Sequence, residues 1–367
     1  MPLTEHHRII IVGAGIVGTT LAWYLSRAFS GKIILIDSQE VGLGVTQHAF
    51  AWLNASYGRP DGYGKLRQQA LKEWRRLDTL TGNQLNLQWC GAISWQDNAD
   101  KTQQFIDSQR EGGLNIRPLT REQLLALEPR LSSPPTLAAF CEDEGYVNPL
   151  QVTQTLLDMA INQGVEYRPY TRVQAFEQSG GKINGVVTDR GDIGADQVVI
   201  AAGTGAIDLL KTLNIIAPLS PSPSIIARLT QSINAQQETP LLQHIISSPQ
   251  MEVRPAGKGE ILCAEDYVSA SKQHHARYIA GEALTAIRQA FGYSGELLVE
   301  QAEVGMRPMP DDEMPIVGHI NHPAGLYLIS MHAAITLAPL LCQLATAEIL
   351  QGIQHPALAP YRLSRFA

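Results

Sequence analysis

The feature that most constrains the fold of this chain is a run near its N-terminus in which two apolar strands flank a glycine turn and a helix. Residues 8–12 contain a β-branched apolar run, residues 13–18 are Gly-Ala-Gly-Ile-Val-Gly, and residues 19–29 have helical character. A second apolar run at 32–36 ends at Asp37. The pattern G-x-G-x-x-G between a strand and a helix, followed by an acid about 20 residues later, is typical of a dinucleotide-binding unit. The sequence therefore predicts an α/β fold that begins with such a unit.

Each glycine of this turn has a separate physical role. Gly13 permits a sharp turn, Gly15 permits close approach of the backbone to a pyrophosphate, and Gly18 permits the helix to pack on the strand. The first N–H groups of the helix can donate hydrogen bonds to the phosphates. The Asp37 carboxylate can accept hydrogen bonds from the ribose hydroxyls of an adenosine. The predicted nucleotide contacts in this unit are Gly13, Ala14, Gly15, Ile16, Val17 and Asp37.

A secretory signal peptide is the alternative interpretation of the apolar residues 9–25. Three glycines at fingerprint spacing interrupt this run, no small-residue cleavage site follows it, and a second apolar strand comes directly after it. No other run approaches the roughly eighteen apolar residues of a membrane span. We therefore expect a cytoplasmic protein without a membrane span.

Length, charge and cysteine spacing narrow the class of protein further. A chain of 367 residues is long enough for two domains. The net charge of −7 argues against nucleic acid as a partner, because phosphate binding needs clustered lysine and arginine. The four cysteines have neither metal-site nor C-x-x-C spacing, which favours a reduced compartment and no bound metal.

Apolar periodicity and turn residues predict further elements. A helix is expected to begin at Asn148 as its N-cap and to stop at Gly164, and a buried strand at 197–200 leads into a turn of small residues. Other expected helices lie at 66–80, 281–290 and 336–351, and other expected strands at 89–95, 224–229, 250–254, 260–264 and 325–330. The Ser-Pro repeat at 220–223 resembles a linker, and the basic stretch at 72–76 is typical of the solvated face of a helix.

Four motifs in a fixed order carry a resemblance to a known family. They are GAGIVG at 13–18, VVIAAGTGA at 198–206, GMRPMPDDEMPIVG at 305–318 and GLYLISMHAAITLAP at 325–339. In this order they resemble the FAD-dependent amine oxidoreductases that include D-amino-acid oxidase, glycine oxidase and sarcosine oxidase. The resemblance implies an α/β (α+β overall) fold, in which a discontinuous Rossmann-like FAD-binding domain is interleaved with a mixed-sheet substrate domain. The implied FAD-binding domain comprises residues 1–50, 145–215 and 300–367, and the implied substrate domain comprises 51–144 and 216–299.

The resemblance also implies a reaction. The family oxidises the C–N bond of an amino acid or secondary amine, with hydride passing to N5 of FAD and water hydrolysing the imine. The electron acceptor is left open between oxygen, a quinone and a partner protein. Two other functions also stay open. One is an NAD(P)H-dependent FAD monooxygenase on a related nucleotide fold, and the other is a flavoprotein subunit of a hetero-oligomeric dehydrogenase.

Further FAD contacts follow from the resemblance. The loop at 42–48 lies along the pyrophosphate in the family, which places Val45, Thr46 and His48 near the cofactor. The segment at 44–49 also resembles a loop of dimethylglycine and sarcosine dehydrogenases in which a histidine is bonded to the flavin, so His48 either carries a covalent link or packs beside the ring. The resemblance places the Val173 backbone at the adenine edge, and Ala202 and Gly203 in a second contact turn.

Two regions of the resemblance concern the substrate and the flavin ring. Arg307 occupies the place of an arginine that grips the substrate carboxylate, and the alternative for it is a structural ion pair with an acid such as Asp312. The turn at 331–336 stands where the family has a pattern close to G-H-G-G-x-G. This chain keeps His332, a candidate polar wall of the active site, but replaces the glycines. The flavin contacts expected in this turn are Ala333, Ile335 and Thr336, and the apolar wall candidates are Trp52, Tyr57, Tyr63 and Tyr267.

Overall fold

The computed structural model describes residues 3–57, 61–231, 240–257, 259–266, 276–292 and 296–366. Its strands in chain order are β1 (Arg8–Val12), β2 (Lys32–Ile36), β3 (Trp52–Leu53), β4 (Ala92–Ser94), β5 (Arg117–Thr120), β6 (Leu137–Cys141), β7 (Gly145–Tyr146), β8 (Glu166–Arg168), β9 (Val173–Ser179), β10 (Lys182–Thr188), β11 (Ile193–Gly194), β12 (Gln197–Ile200), β13 (Leu219–Gln231), β14 (Ile245–Ser248), β15 (Met251–Gly257), β16 (Glu260–Asp266), β17 (Leu297–Pro310), β18 (Ile316–His319) and β19 (Leu326–Ser330). Its α-helices are α1 (Ile16–Ala28), α2 (Gly62–Leu80), α3 (Ala99–Glu111), α4 (Arg121–Leu127), α5 (Pro149–Asn162), α6 (Gly205–Lys211), α7 (Ala276–Ala290) and α8 (Ala334–Gln351).

A six-stranded sheet with the order β18-β19-β12-β1-β2-β8 contains the predicted βαβ unit. Strands β19, β12, β1, β2 and β8 run parallel, and β18 is an antiparallel edge strand. In the central strands Ile10 lies opposite Val198 and Ile34, and all three side chains are buried. Burial on both faces explains why these strands are continuous apolar runs without alternating polar residues. The predicted α/β fold class is confirmed.

Helices cover this sheet and pack on one another. Helix α1 contacts both α5 and α8, and α8 also contacts α2. Asn148 caps α5 as predicted, because its side chain accepts a hydrogen bond from the Gln151 N–H. Among the described residues α8 is the one helix long and apolar enough to cross a membrane, and most of it is buried inside the protein. Core helices have the same length and composition, so this property alone does not indicate a span.

An eight-stranded mixed sheet with the order β17-β13-β16-β15-β14-β4-β6-β5 forms the second layer. Its neighbours are antiparallel except β4 and β14, which run parallel. Helix α7 packs against β13 and β17, the two longest strands of the sheet. Strand β17 begins at Leu297 and continues past residue 300, where the sequence analysis placed a domain limit. The limits of the two domains stay a prediction.

The linker expected at 220–223 is wrong, because these residues lie inside β13. Pro221 stands opposite Pro308 of β17, and neither residue has an N–H, so this pair must be a non-hydrogen-bonded position of the ladder. Pro223 lies two residues further along β13, so its nitrogen faces the same edge of the strand as that of Pro221. Strand β16 pairs with β13 only from Ser224 onward, so the prolines remove no ladder hydrogen bond on that side either. The Ser-Pro repeat is therefore compatible with a strand.

The interpretation of residues 72–76 as a solvated helix face holds only in part. Lys72 and Arg76 are exposed, but Glu73 is buried and Trp74 has no exposed surface. The Trp74 Nε1–H donates to the carbonyl oxygens of Ile335 and Thr336 at 3.0 and 3.1 Å. Helix α2 therefore uses this stretch to hold the start of α8.

A buried ion pair ties the C-terminal segment to α8. The Glu348 side chain has no exposed surface, and it accepts hydrogen bonds from Arg362, from the His355 N–H and from the Tyr327 hydroxyl, the last at 2.7 Å. Burial alone would raise the pKa of Glu348, but the hydrogen bonds from Arg362 and Tyr327 outweigh burial and hold this pKa below its ordinary value. A carboxyl group with a depressed folded-state pKa stabilises the fold at neutral pH, and this contribution is lost as the pH falls through the folded-state pKa.

We expect Glu348→Gln to lower the free energy of unfolding by about 3–5 kcal/mol near neutral pH, because it leaves the Arg362 charge without its carboxylate. The difference from wild type should shrink as the pH falls below the ordinary glutamate pKa of about 4.3, because the unfolded chain then binds a proton that the folded carboxylate resists, and it should vanish once the folded carboxyl group is protonated as well. Urea unfolding at about pH 7 and about pH 3.5 measures both values. Glu111→Gln, at the exposed end of α3, is the control and should change little. Equal effects of the two substitutions at neutral pH would contradict the assignment.

Candidate active site

A cavity of about 1110 Å³ lies at the carboxyl ends of the parallel strands. It is bordered by Val12, Ile36, Ala201 and Ser330, which end or follow β1, β2, β12 and β19. Residues of the eight-stranded sheet, among them Ser224, Met251 and Ala264, border it as well. Ligands of open α/β sheets bind at this edge, and the volume exceeds the roughly 300–1,000 Å³ of pockets for drug-sized molecules. The cavity is therefore large enough for a dinucleotide together with a small substrate.

All but one of the site residues predicted from the sequence border this cavity. Those that border it are Gly13, Gly15, Ile16, Val17, Asp37, Val45, Thr46, His48, Val173, Ala202, Gly203, Arg307, His332, Ala333, Ile335 and Thr336. Ala14 does not border it, and its N–H instead donates to Asp37 Oδ2 at 2.6 Å. Of the wall candidates, Trp52, Tyr57 and Tyr63 border the cavity, and Tyr267 lies outside the described residues. The roles of all these residues stay predictions.

Packing explains two of the three fingerprint glycines. Gly13 has φ +108°, and a Cβ there would lie 2.4 Å from the Ala201 carbonyl oxygen. A Cβ on Gly18 would lie 1.8 Å from the Gly13 carbonyl oxygen. By contrast, a Cβ on Gly15 would meet only the Thr46 hydroxyl, at 3.1 Å. Gly13 and Gly18 thus permit strand and helix to pack, whereas Gly15 leaves space on the cavity side.

The start of α1 has no side-chain cap of its own, because its N-cap residue is Gly15. Thr46, from the loop that follows β2, takes this role in part: its Oγ1 accepts a hydrogen bond from the Ile16 N–H at 3.1 Å. The Thr46 hydroxyl still has a proton to donate. The helix start and Thr46 together offer donors and a partial positive charge, which suits a phosphate.

Asp37 follows β2 directly, and backbone donors hold its carboxylate. Oδ2 accepts from the Ala14 N–H at 2.6 Å and Oδ1 accepts from the Gln39 N–H at 2.9 Å. Burial raises the pKa of Asp37 above its ordinary value, although these backbone hydrogen bonds oppose the shift. Each carboxylate oxygen can accept a second hydrogen bond, so the fixed carboxylate can bind two neighbouring hydroxyl groups.

His48 ends a short 3₁₀ helix, Val45–His48, and packs against β17. Its Nδ1 lies 2.8 Å from Glu303 Oε2, and a Cβ on Gly305 would lie 2.9 Å from the His48 Cβ. Gly305, the first residue of the G-x-R-P motif, therefore permits the close approach of this loop to β17.

Arg307 is half-buried on β17, and hydrogen bonds to β13 hold its guanidinium. Nη2 donates to Ser222 Oγ at 3.0 Å and to the Pro223 carbonyl oxygen at 3.2 Å. The alternative partner Asp312 forms a two-point ion pair with Arg365 instead, at 2.7 and 2.8 Å. Arg307 thus borders the cavity on a rigid pair of strands, as a carboxylate ligand requires.

The turn before α8 is fixed by contacts with β3 and α2. Thr336 Oγ1 donates to the Trp52 carbonyl oxygen at 3.0 Å and accepts from the Asn54 N–H at 3.3 Å. The first N–H groups of α8 receive no side-chain cap, because the N-cap residue is Ala333. An uncapped helix start beside a cavity stabilises negative charge there. His332, half-buried, borders the cavity in the same turn.

Sequence reasoning missed Arg67 and Asn54, which also border the cavity. Arg67 lies four residues after Tyr63 on α2, and its guanidinium stacks on the Tyr63 ring with 5.6 Å between Cζ and the ring centroid. The i, i+4 spacing of an aromatic residue and an arginine in an otherwise apolar helix face is the signal that could have found this pair. No group of three or more potential metal ligands is assembled within the described residues.

Comparison with known proteins identifies the family. The family model "FAD dependent oxidoreductase" (DAO) matches residues 8–348. The chain belongs to the FAD-dependent oxidoreductase family. It is 28% identical over 251 residues to 4-methylaminobutanoate oxidase (formaldehyde-forming) of Paenarthrobacter nicotinovorans, a match that covers 67% of this chain and 30% of that relative.

Two further proteins to which the chain is similar, one in sequence and one in fold, are glycine oxidases. The glycine oxidase of Pseudomonas putida is 25% identical over 382 residues, which cover 96% of each chain. The crystal structure of glycine oxidase from Bacillus cereus superposes with a TM-score of 0.84 at 21% identity, over 98% of this chain and 99% of that one. The chain spans only 30% of the length of the methylaminobutanoate oxidase but nearly all of the glycine oxidases.

The cofactor of the family is FAD, and the residues of this cavity fit it. The space at Gly15 and the start of α1, which Thr46 caps only in part, suit a pyrophosphate, and the fixed Asp37 carboxylate suits a ribose. The uncapped start of α8 suits a ring system that gains negative charge on reduction. The sequence-based predictions of FAD and of the oxidoreductase family are confirmed.

We expect FAD to co-purify with this protein and Gly15→Leu to abolish the yellow colour. The leucine side chain would displace Thr46 and occupy the space left for the pyrophosphate. Absorbance at the flavin bands, and chromatography of the nucleotide released by acid, measure the FAD content. Gly62→Leu at the exposed start of α2, where an added Cβ meets nothing, should keep its FAD. A colourless wild type that takes up no added FAD would contradict the assignment.

Proposed function

We propose that this protein oxidises the C–N bond of a small amino acid or secondary amine that carries a carboxylate. The observation that carries the proposal is the position of Arg307, which borders the same cavity as the dinucleotide turn and the start of α8. When bound, FAD supplies the two-electron oxidant. The names of the relatives, which are oxidases of 4-methylaminobutanoate and of glycine, support this substrate class.

The chain's own residues have three tasks in this reaction. Arg307 binds the carboxylate and thereby orients the amine, and its contacts with Ser222 and Pro223 limit the freedom of the guanidinium. Trp52 and Tyr63 supply apolar walls that exclude water. The start of α8 stabilises negative charge that develops at its end of the cavity.

A dedicated protein base is not required if the amine binds in its neutral form. The neutral amine loses a hydride and a proton, which is two electrons and two protons in total. The resulting imine adds water and separates into a carbonyl compound and an amine. His332 is a polar wall of the site in this proposal. The electron acceptor of the reduced enzyme, whether oxygen, a quinone or a partner protein, lies outside the proposal.

Anaerobic mixing of the protein with amines tests the reaction class. Bleaching of the flavin by an amino acid or an N-methyl amine supports the proposal. Bleaching by NADPH and by no amine would instead indicate a monooxygenase. Absence of bleaching by every amine, in a chain that retains FAD, would indicate a flavoprotein subunit that works only with a partner.

We expect Arg307→Leu to lower kcat/KM on a carboxylate-bearing amine by roughly ten- to a thousand-fold, because the substrate carboxylate would be left unpaired in a site that excludes water. Arg307→Lys should restore only part of the activity, since a point charge lacks the planar fork. FAD content should stay unchanged. Steady-state kinetics with a substrate and with its decarboxylated amine measure the effect.

The control for this substitution is Arg228→Leu. Arg228 lies on β13, pairs with Glu260, and is not among the residues that border the cavity. It should leave kcat/KM near the wild-type value. If Arg307→Leu impairs the substrate and its decarboxylated amine equally, or if it releases FAD, Arg307 is a structural residue and the proposed substrate class loses its support.

We expect the FAD to be bound without a covalent link at His48. The residues that follow it, Phe50, Ala51 and Trp52, depart from the dehydrogenase pattern, and His48 Nδ1 is engaged by Glu303. The intact mass of the denatured wild type should therefore equal that of the polypeptide. A mass increased by one FAD, and lost in His48→Ala, would show a covalent link.

A further inference from the structure

Arg67 is a buried cation on the wall of the cavity. Its side chain is only 8% exposed, yet it forms no ion pair with an acid of the described residues. Nε donates to the Asn54 carbonyl oxygen at 3.0 Å and Nη2 donates to Asn54 Oδ1 at 2.7 Å. Nη1 has only a long contact of 3.5 Å with the Tyr63 hydroxyl. Buried charges in proteins are normally paired, so this guanidinium lacks a partner that a ligand can supply.

Glu144 is an acid on which the Arg67 charge acts, but it is not an ion-pair partner of Arg67. The Arg67 charge acts on Glu144 through space, but the Glu144 oxygens are taken by other donors. Oε1 accepts from the N–H groups of Ala55 and Ser56 at 2.7 and 2.6 Å, and Oε2 accepts from Trp52 Nε1 at 2.9 Å. Glu144 therefore holds the segment after β3 in place and accepts no hydrogen bond from Arg67.

Asn54 supplies a second donor without an acceptor. Its Oδ1 accepts from both Arg67 and the Tyr57 N–H, and these two donors fix the orientation of the amide. Its Nδ2 is buried and has no hydrogen-bond partner among the described residues. Asn54 is 2% exposed and borders the cavity. Asn54 Nδ2, which lacks an acceptor, and Arg67 Nη1, which has only the 3.5 Å contact, are together suited to an anionic group.

The position of this pair relative to the proposed site favours a substrate group over a phosphate. The Asn54 N–H donates to Thr336 Oγ1 at the start of α8, which is proposed above to stabilise negative charge on the flavin ring, whereas the phosphates are proposed to lie at the start of α1. Arg67 lies on α2, whereas Arg307 lies on β17 of the eight-stranded sheet. The cavity therefore has two arginines on different elements.

We propose that Arg67 and Asn54 bind a second carboxylate of the substrate. The preferred substrate class is then a secondary amine with a carboxylate on each side of its nitrogen, such as an N-(carboxyalkyl) amino acid. Arg307 binds one carboxylate and Arg67 binds the other, with Asn54 orienting the guanidinium. The proposal rests on the function proposed above, and it adds that the second arm of the amine is anionic.

A matched series of amines tests the subsite. N-carboxymethyl-, N-(2-carboxyethyl)- and N-(3-carboxypropyl)glycine are each compared with the N-alkylglycine in which a methyl group replaces the second carboxylate. The length series is needed because the second carboxylate must reach Arg67 from Arg307. We expect at least one dicarboxylate to exceed its matched monocarboxylate by about 10- to 100-fold in kcat/KM, as a hydrogen-bonded charge pair predicts.

Substitution of Arg67 should remove this preference selectively. In Arg67→Gln the ratio of the two kcat/KM values should fall close to one, because the dicarboxylate loses more activity than its matched monocarboxylate. Arg67→Lys should keep part of the ratio. Lys65→Gln removes an exposed cation from the same helix and should keep the whole ratio. FAD content and thermal unfolding confirm that each variant is folded.

Two outcomes overturn the subsite. One is a wild type that bleaches with N-alkylglycines but prefers no dicarboxylate of the series, which leaves the proposed function intact. The other is an Arg67→Gln variant that lowers kcat/KM equally for a dicarboxylate and its matched monocarboxylate. Arg67 would then be a structural residue of the cavity wall or a flavin-binding residue. Absence of bleaching by any amine would overturn the proposed function and the subsite together. The wild-type series decides the question even if Arg67→Gln does not fold.

Discussion

The close contact of three backbone segments at the glycine turn is the constraint on which the rest of this structure depends. The Gly13 backbone lies against Ala201 after β12, and Gly18 of α1 lies against Gly13. A Cβ at either position would overlap a backbone carbonyl oxygen, that of Ala201 for Gly13 and that of Gly13 for Gly18. Because these contacts hold, the start of α1 opens at the carboxyl edge of the sheet, where its unpaired N–H groups border the cavity.

The second half of the site is built by hydrogen bonds between residues far apart in sequence. Thr336 at the start of α8 is bonded to Trp52 and Asn54 of the segment at β3, and Trp74 of α2 holds the carbonyl oxygens of the same turn. The carboxylate of Glu144 fixes that segment from its other side. These contacts place Arg67, Asn54 and the start of α8 on one wall of the cavity. The residues that hold this wall together are therefore also the candidate ligand-binding residues.

Much of the fold follows from local patterns. The parallel strands β1, β2 and β12 are continuous apolar runs, and the start of α5 follows from Asn148 and the proline after it. Strand β6 was not anticipated although it is apolar throughout. Helix α3 and strand β5 were not anticipated, because their apolar positions are few or mixed with polar ones and the pairing partner of β5 lies elsewhere in the chain. The Ser-Pro segment of β13 was wrongly interpreted as a linker, because only its pairing with β17 makes it a strand.

The sequence by itself determined the family, the FAD cofactor and a set of site residues that nearly all border the cavity, because glycine spacing and the order of short motifs depend on neighbouring residues along the chain. Tertiary structure alone decided how the charged groups are paired. In the folded chain Asp312 pairs with Arg365, Arg307 donates to Ser222, and Arg67 lies beside Asn54 with no acidic partner among the described residues. Pairing of charges depends on distances of a few ångströms between segments that are distant in sequence, and no local pattern encodes those distances.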